Sequence, residues 1–222
     1  MNYNVELLKI LWYLFFQMID EDEETKEVKI ILLGETGVGK TSLINRYVNN
    51  EFNIDSEVTL GSSSSVKVVK RLNINYRLSI WDTSGQEKYH SVTNLFIKGS
   101  NIVILIYSID SRDSFEHLNI WYSAMKDNLD KKNYILAIVG SKSDLKNMAV
   151  VSEEEGRKFA MDKKALFKLV SAKDDPYSVN KLFDLLIDEL GQINFESKTE
   201  SYFIKKSPKK KKKDKKHHKF AC

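Results

Sequence analysis

Residues 34–41 read Gly34-Glu35-Thr36-Gly37-Val38-Gly39-Lys40-Thr41, and they follow directly on the apolar run 28–33. The spacing is G-x-x-x-x-G-K-[ST], the pattern of a phosphate-binding loop between a strand and a helix. Glycines let such a loop bend tightly, so that consecutive backbone N–H groups and the helix N-terminus face phosphate oxygens. The stretch therefore predicts a strand, a helix over 40–48 and a bound nucleoside triphosphate between them.

Two side chains of this loop are expected to carry chemistry. Lys40 would place its ammonium group against the β- and γ-phosphates, and we expect it to be catalytic, while the Thr41 hydroxyl would bind Mg²⁺. The other loop positions expected to contact the nucleotide are Gly34, Thr36, Gly37, Val38, Gly39 and Ser42.

The composition of the 222 residues, 42% of them hydrophobic, favours one compact α/β domain with tails. Cys222 is the single cysteine, so there is no internal disulfide framework, which suits a reducing cytosol. The net charge of +4 divides unevenly, because residues 205–219 hold ten lysines and one aspartate and the remainder is mildly acidic. This asymmetry indicates that the tail alone engages an anionic surface.

Strand and helix patterns alternate along the chain. Near-continuous apolar strands separated by helices predict a mostly parallel sheet that is covered on both faces. We expect a single α/β P-loop domain over 26–192, with a six-stranded mixed sheet, one antiparallel hairpin (66–71 with 76–82) and about five helices. The predicted strands are 28–33, 66–71, 76–82, 101–107, 134–140 and 166–170, and the helices are 40–48, 87–96, 114–128, 152–161 and 179–191.

Residues 1–25 form an extension that is first apolar and then acidic. Its apolar run 10–16 is shorter than the ~20 residues that span a bilayer, and no small-residue cleavage site follows it. Two interpretations stay open: translation begins at Met18, or the segment is a helix that faces a membrane or packs on the surface.

Three later segments each close a predicted strand: 81–87, 141–144 and 171–173. Asp82 can hold Mg²⁺, the Gly85 N–H can contact a γ-phosphate, and Gln86 stands where an attacking water must be oriented. Because ligands of parallel sheets bind beyond the carboxyl ends of the strands, we expect all these segments to meet at one crevice.

With these motifs in order, the chain resembles the Ras-like small GTPases over about 26–192, and most closely the Rab branch, with features of its early endocytic group. Three stretches are Rab-like: Trp81 before the Asp-x-x-Gly, Thr59-Leu60-Gly61, and 86–91. The resemblance implies a switch that cycles between GDP and GTP, hydrolyses GTP slowly through Gln86 and regulates vesicle traffic.

The resemblance also implies roles for single residues. Thr59 would bind Mg²⁺ only when a γ-phosphate is present. At the base, Phe52 would stack on guanine, Asp144 would take two guanine N–H groups, Lys142 would brace the base, and Ala172 would offer its N–H to the guanine oxygen, with Ser141, Ser171 and Lys173 beside them. Phe52 taken alone is also compatible with core packing, and Trp121 is expected to pack rather than to belong to the site.

Two positions depart from the Rab pattern. The family's Asn-Lys-x-Asp is Ser141-Lys142-Ser143-Asp144 here, and because serine is shorter, we expect the contacts with the base and with the phosphate loop to be lost. That loss would weaken nucleotide binding several-fold, at ~0.5–1.5 kcal/mol for one hydrogen bond. Ser64 stands where Rabs carry the large aromatic residue of an effector-binding triad, whose other two positions match Trp81 and Phe96.

The tail, residues 193–222, is expected to be disordered and polybasic. By the resemblance, Cys222 would carry a geranylgeranyl group, and one lipid with a basic patch meets the two-signal requirement for anchoring. A nuclear import signal, from Pro208 followed by five lysines, and a merely solvated tail are the alternatives.

The expected partners are a guanine-nucleotide exchange factor, effectors on the switch regions, an anionic membrane surface and a GTPase-activating protein that supplies an arginine, since no arginine lies within 49–61. No nucleic acid is expected, and the expected location is the cytoplasmic face of an endosome or other vesicle, in exchange with the cytosol. The rival functions are a guanine-nucleotide-dependent scaffold with little turnover and a nuclear-transport type of GTPase. An ATP-using small kinase is disfavoured by Asp144.

Overall fold

The computed structural model describes residues 25–54, 59, 61–71, 73–85, 90–129 and 133–206. Six strands form one sheet in the order β2-β3-β1-β4-β5-β6, in which all neighbours are parallel except β2 and β3. This confirms the predicted mixed sheet and its hairpin. The strands are β1 Thr25–Leu33, β2 Ser62–Arg71, β3 Ile74–Thr83, β4 Ile102–Ser108, β5 Ile135–Ser141 and β6 Leu166–Leu169.

The helices cover both faces of the sheet. They are α1 Lys40–Asn49, α2 His90–Ile97, α3 Arg112–Glu116, α4 Leu118–Asn128, α5 Glu153–Asp162 and α6 Pro176–Lys206, with a 3₁₀ helix at Ser143–Met148. Alternate residues of β1 point to opposite layers: Ile30 and Leu32 join the core beneath α1 and α6, whereas Ile31 and Leu33 join the core beneath α2, α4 and α5. Burial on both faces explains why β4, β5 and the second half of β1 are apolar almost throughout.

The predicted helix over 114–128 is two helices, α3 and α4, which meet at His117. The Ser111 hydroxyl caps α3 by accepting a hydrogen bond from the Ser114 N–H at 3.3 Å, so the first helix starts earlier than predicted. The hydrophobic pattern hides the break because Phe115, Leu118 and Trp121 face the same core on both sides of it.

Helix α6 exceeds the predicted 179–191 at both ends. Pro176 occupies the first helical position, where its fixed φ and missing N–H cost nothing, and Asp175 caps the helix by accepting from the Ser178 N–H at 3.1 Å. At the other end α6 continues to Lys206, the last residue that the structure describes. The first part of the predicted tail is therefore helical.

Several predictions fall outside the described residues, which exclude 1–24, 86–89 and 207–222. They concern the N-terminal extension, Gln86, the lysine run and Cys222, and they stay predictions, as do the domain limits. Among the described residues, no helix is both long enough and apolar enough to span a bilayer.

Candidate nucleotide-binding site

The phosphate loop leaves β1 at Gly34 and enters α1 at Lys40. Gly39 caps α1 with φ 94°, a left-handed conformation that glycine adopts without the steric cost of a Cβ atom. The first N–H groups of a helix have no partner within the helix, and residues 39–42 border a cavity, so this end of α1 suits an anion. The predicted strand–loop–helix unit is confirmed.

Lys40 lies inside this loop with only 6% of its surface exposed. Its Nζ donates to the carbonyl oxygens of Gly34 at 2.7 Å and Glu35 at 2.8 Å. Burial lowers the pKa of Lys40 to about 8, although the nearby carboxylates of Asp82 and Glu35 act to raise it. An incoming phosphate would favour the charged form of this amine.

Three oxygen-bearing side chains meet beside Lys40. The Thr41 hydroxyl donates to Asp82 Oδ2 at 2.7 Å, and its oxygen lies 2.8 Å from the Thr59 hydroxyl. Asp82 is 4% exposed, and burial raises its pKa. The hydrogen bond from Thr41 and the charge of Lys40 act to lower this pKa, but their effect is smaller.

Asp82 Oδ1 is also buried and makes no hydrogen bond with any described residue. A buried carboxylate oxygen of this kind beside two hydroxyls is the hard-oxygen donor set that Mg²⁺ takes. The predicted metal ligands Thr41, Thr59 and Asp82 therefore lie together and fit the ion.

Gly85 follows β3 and lies against the phosphate loop. A Cβ atom at this position would lie 2.3 Å from the Glu35 carbonyl carbon and 2.3 Å from the Thr36 nitrogen. Any side chain here would push the end of β3 away from the loop. The expected position of Gly85 beside the phosphates agrees with this contact.

These groups border one cavity of about 390 Å³. Its wall contains most of the predicted nucleotide-binding residues: Thr36, Gly37, Gly39, Lys40, Thr41, Ser42, Phe52, Thr59, Gly85, Ser141, Lys142, Asp144, Ala172 and Lys173. Gly34, Val38, Asp82 and Ser171 are buried behind that wall. Gln86 is outside the described residues.

Asp144 is held from behind by Ser171. The Ser171 hydroxyl donates to Asp144 Oδ1 at 2.5 Å and accepts from the Asp174 N–H at 3.0 Å. Ser171 is 1% exposed, so it orients the carboxylate and does not border the cavity. Asp144 Oδ2 is the oxygen that remains for a ligand.

Lys142 has a left-handed backbone with φ 57°, and it begins the 3₁₀ helix that carries Asp144. Its Nζ lies 3.9 Å from Asp110 Oδ1, which also accepts a hydrogen bond from the Ser108 hydroxyl. Lys142 also borders the cavity, as Asp144 does.

Ser141 corrects one expectation from the sequence. Its hydroxyl lies 2.5 Å from the Val38 carbonyl and 2.9 Å from the Tyr107 carbonyl, and the residue is 5% exposed. The predicted loss of contact with the phosphate loop is wrong, because the Val38 carbonyl comes within reach of the shorter side chain. The single hydroxyl proton serves these two carbonyls, and the loss of the contact with the base stays a prediction.

Sequence reasoning missed a cluster that anchors the phosphate loop to α4. Trp121, 1% exposed, donates its indole N–H to Glu35 Oε1 at 3.2 Å, and His117 Nδ1 lies 3.3 Å from the same oxygen. Trp121 packs in the core as expected, but it also binds the loop. The available signal was the i, i+4 spacing of His117 and Trp121, which places both side chains on one face of a helix.

Removing this anchor should loosen the bound nucleotide. Trp121→Phe keeps an aromatic ring but loses the N–H group, and we expect GDP to dissociate about 3- to 10-fold faster, the effect of one typical net hydrogen bond. Release of a fluorescent GDP measures the rate. Glu35→Gln, which keeps an acceptor for the indole, should stay near the unaltered rate, and Glu35→Ala should match Trp121→Phe. An unchanged rate in Trp121→Phe would contradict the anchor.

A second candidate surface lies where the end of β3 meets α2, beside the core that these elements share. The rings of Trp81 and Phe96 stack with centroids 5.0 Å apart, and exposed Ser64 stands opposite Trp81 in the β2–β3 register. The two aromatic positions of the expected triad are therefore adjacent in space, and serine occupies the third.

Comparison with known proteins gives a consistent result. The Ras family model matches residues 29–192. Ras-related protein Rab-17 of Homo sapiens is 39% identical over 164 residues, which cover 74% of this chain and 76% of the relative. Ras-related protein Rab-11B of Dictyostelium discoideum is 37% identical over 171 residues, 77% of each chain. GTP-binding protein ypt3 of Schizosaccharomyces pombe is 33% identical over 176 residues, 79% of this chain and 81% of the relative.

Proposed function

Because this chain belongs to the Rab branch of the Ras family, small GTPases that hydrolyse GTP and regulate vesicle trafficking, we infer that the cavity described above binds GDP and GTP with Mg²⁺. One observation carries the inference. The cavity is bordered by Lys40 and by Thr41, whose hydroxyl binds buried Asp82, and also by Asp144. The first group suits a phosphate chain with its metal ion, and Asp144 suits a base.

At the phosphate end, Lys40 would bind the β- and γ-phosphates together with the N–H groups of the loop. Thr41, Thr59 and Asp82 would hold Mg²⁺, whose charge neutralises the phosphate oxygens. Switch segments of GTPases are ordered by contacts with the γ-phosphate and Mg²⁺ and are released on hydrolysis, so the Thr59 hydroxyl would make the site sensitive to the nucleotide state.

Hydrolysis would need Gln86 to orient the attacking water. This residue directly follows Gly85, whose backbone touches the phosphate loop. The chain has five arginines and none within 49–61, which supports a slow intrinsic rate and an arginine supplied by a GTPase-activating protein. Exchange factors and effectors, the other partners of Ras-family proteins, complete the cycle.

At the base end, Asp144 Oδ2 would accept the two N–H groups of guanine, and the Ala172 N–H would donate to its oxygen. Phe52 and the stem of Lys142 border the same part of the cavity and would pack against the ring faces. Adenine would leave the carboxylate unpaired, and an unmet buried polar group rejects a ligand strongly.

We propose that the tail attaches the protein to the cytoplasmic face of endosomes or other vesicles. A single lipid on Cys222 gives only marginal binding, and each lysine near an anionic leaflet adds ~1 kcal/mol, so the ten lysines of 205–219 supply the second signal. The matched relatives lend no support to the scaffold or nuclear-transport alternatives.

Two measurements test the function. Nucleotide released from the purified protein by denaturation should be GDP or GTP, and a finding of ATP or ADP would overturn the guanine assignment. Single-turnover hydrolysis should proceed at ~10⁻⁴ to 10⁻³ s⁻¹ without a partner. Gln86→Leu should slow this rate while GTP stays bound. An unchanged rate would show that another residue orients the attacking water.

A further inference from the structure

Arg46 joins two parts of the chain that border the base-binding end of the cavity. It lies in the last turn of α1, and its Nε donates to the Ala172 carbonyl oxygen at 2.7 Å. One of its terminal nitrogens, Nη1, donates to the Asn50 carbonyl at 2.7 Å and to Asn50 Oδ1 at 3.3 Å. Arg46 and Ala172 are 126 residues apart in sequence, so this contact is tertiary.

Asn50 fixes the direction in which the guanidinium points. Its backbone is left-handed with φ 58°, and its N–H returns to the Arg46 carbonyl at 3.1 Å. A guanidinium is a planar group whose donors diverge at fixed angles. Once Nη1 is engaged by two acceptors of one residue, Nε is held toward Ala172.

The segment that receives this hydrogen bond is also held at Ser171, whose carbonyl accepts from the Asp175 N–H at 3.3 Å. Residues 171–175 form a turn between β6 and α6, closed by an isolated bridge between Ser171 and Asp175. On one side the Ser171 N–H donates to the Ser178 hydroxyl at 3.2 Å. Arg46 holds the other side of Ala172, because the held carbonyl fixes the peptide plane between Ala172 and Lys173 and limits rotation about the ψ angle of Ala172.

We propose that Arg46 is a positioning residue for guanine selectivity, because its hydrogen bond to the Ala172 carbonyl restrains the residue whose N–H meets the 6-oxo group of the base. The proposal rests on the function proposed above, in which Ala172 contacts that oxygen. Capping of α1 accounts for the contact with the Asn50 carbonyl, since a cation near a helix C-terminus is favourable. Capping leaves the contact with Ala172 unexplained.

The test compares two ligands that differ at the 6-oxo group. Arg46→Lys keeps the charge and the stem but cannot make the forked contact, and Arg46→Gln removes the charge. Dissociation of GDP and of 2-aminopurine riboside 5′-diphosphate, which lacks the 6-oxo group and the N1 proton, is measured for each variant, and each rate is compared with that of the same ligand on the unaltered protein. We expect GDP to leave about 3- to 10-fold faster from both variants, as for one lost hydrogen bond, and the analogue to change less than about twofold.

Arg157→Lys is the matched control. Arg157 makes an exposed i, i+4 pair with Glu153 at 2.5 Å on α5, and we expect it to change neither rate. Thermal unfolding of each loaded protein separates loss of fold from loss of selectivity, and Arg46→Lys serves if Arg46→Gln does not fold.

The outcomes are distinct. Faster release of both ligands by the same factor would show that Arg46 supports the whole pocket, and it would overturn the proposal, as would unchanged release of both. If the unaltered protein does not prefer GDP to ADP, the proposed function itself fails. A guanine-selective protein in which Arg46 has no selective effect leaves that function intact and removes only this inference.

Discussion

Lys40→Ala should lower the affinity for GDP and GTP by about 10²- to 10³-fold, because each charge-assisted hydrogen bond to a phosphate contributes ~1.5–3 kcal/mol. The ammonium is buried and already held by two carbonyls of the phosphate loop, so no solvent-exposed lysine can take its place. Equilibrium binding of a fluorescent GDP measures the loss. Lys181→Ala, an exposed lysine of α6, is the control. Near-normal affinity in Lys40→Ala would contradict the site.

The pH dependence of binding provides a second check on Lys40. Without ligand its pKa is about 8, and a bound phosphate raises the pKa, so binding takes up a proton wherever the free amine is neutral. Measured without Mg²⁺, the affinity should be level below pH 8 and fall above it. In Lys40→Ala this fall should disappear.

The fold could be predicted because its central strands carry an unambiguous pattern. β4 and β5 are buried at every residue, and such runs with helices between them leave few options other than a parallel sheet. The serines of 62–65 carry no hydrophobic alternation, yet they extend β2, since strand pairing with Ile80–Thr83 is made by the backbone. The split between α3 and α4 could not be predicted because the turn at His117 leaves the hydrophobic pattern of the sequence unchanged.

The site divides in the same way. Lys40, Asp82 and Asp144 could be predicted because their spacing from strand ends is part of a motif. Ser171 was expected at the nucleotide, but it lies behind Asp144. Its position after β6 predicts that it lies near the site, but this position does not predict the direction of its side chain. The contact between Arg46 and Ala172 depends on how α1 and the β6–α6 turn approach each other in the folded chain.

Asp144→Asn should change the preferred base from guanine to xanthine. The Ser171 hydroxyl donates to Asp144 Oδ1 and itself accepts from the Asp174 N–H, so the amide oxygen of an asparagine must face Ser171. Its NH₂ group then takes the place of Oδ2 and faces the base as a donor. Guanine presents donors there, whereas xanthine presents a 2-oxo acceptor.

Two buried donors left unpaired cost ~1–3 kcal/mol each, so the affinity for GDP should fall by about 10²- to 10⁴-fold, and xanthosine diphosphate should bind better than GDP. Competition between the two nucleotides measures the preference. The result depends on the serine, because its single proton orients the amide: with Ser171→Ala added, the asparagine side chain can turn over, and the preference for xanthine should weaken. A variant Asp144→Asn that still prefers GDP would show that this carboxylate does not determine which base is bound.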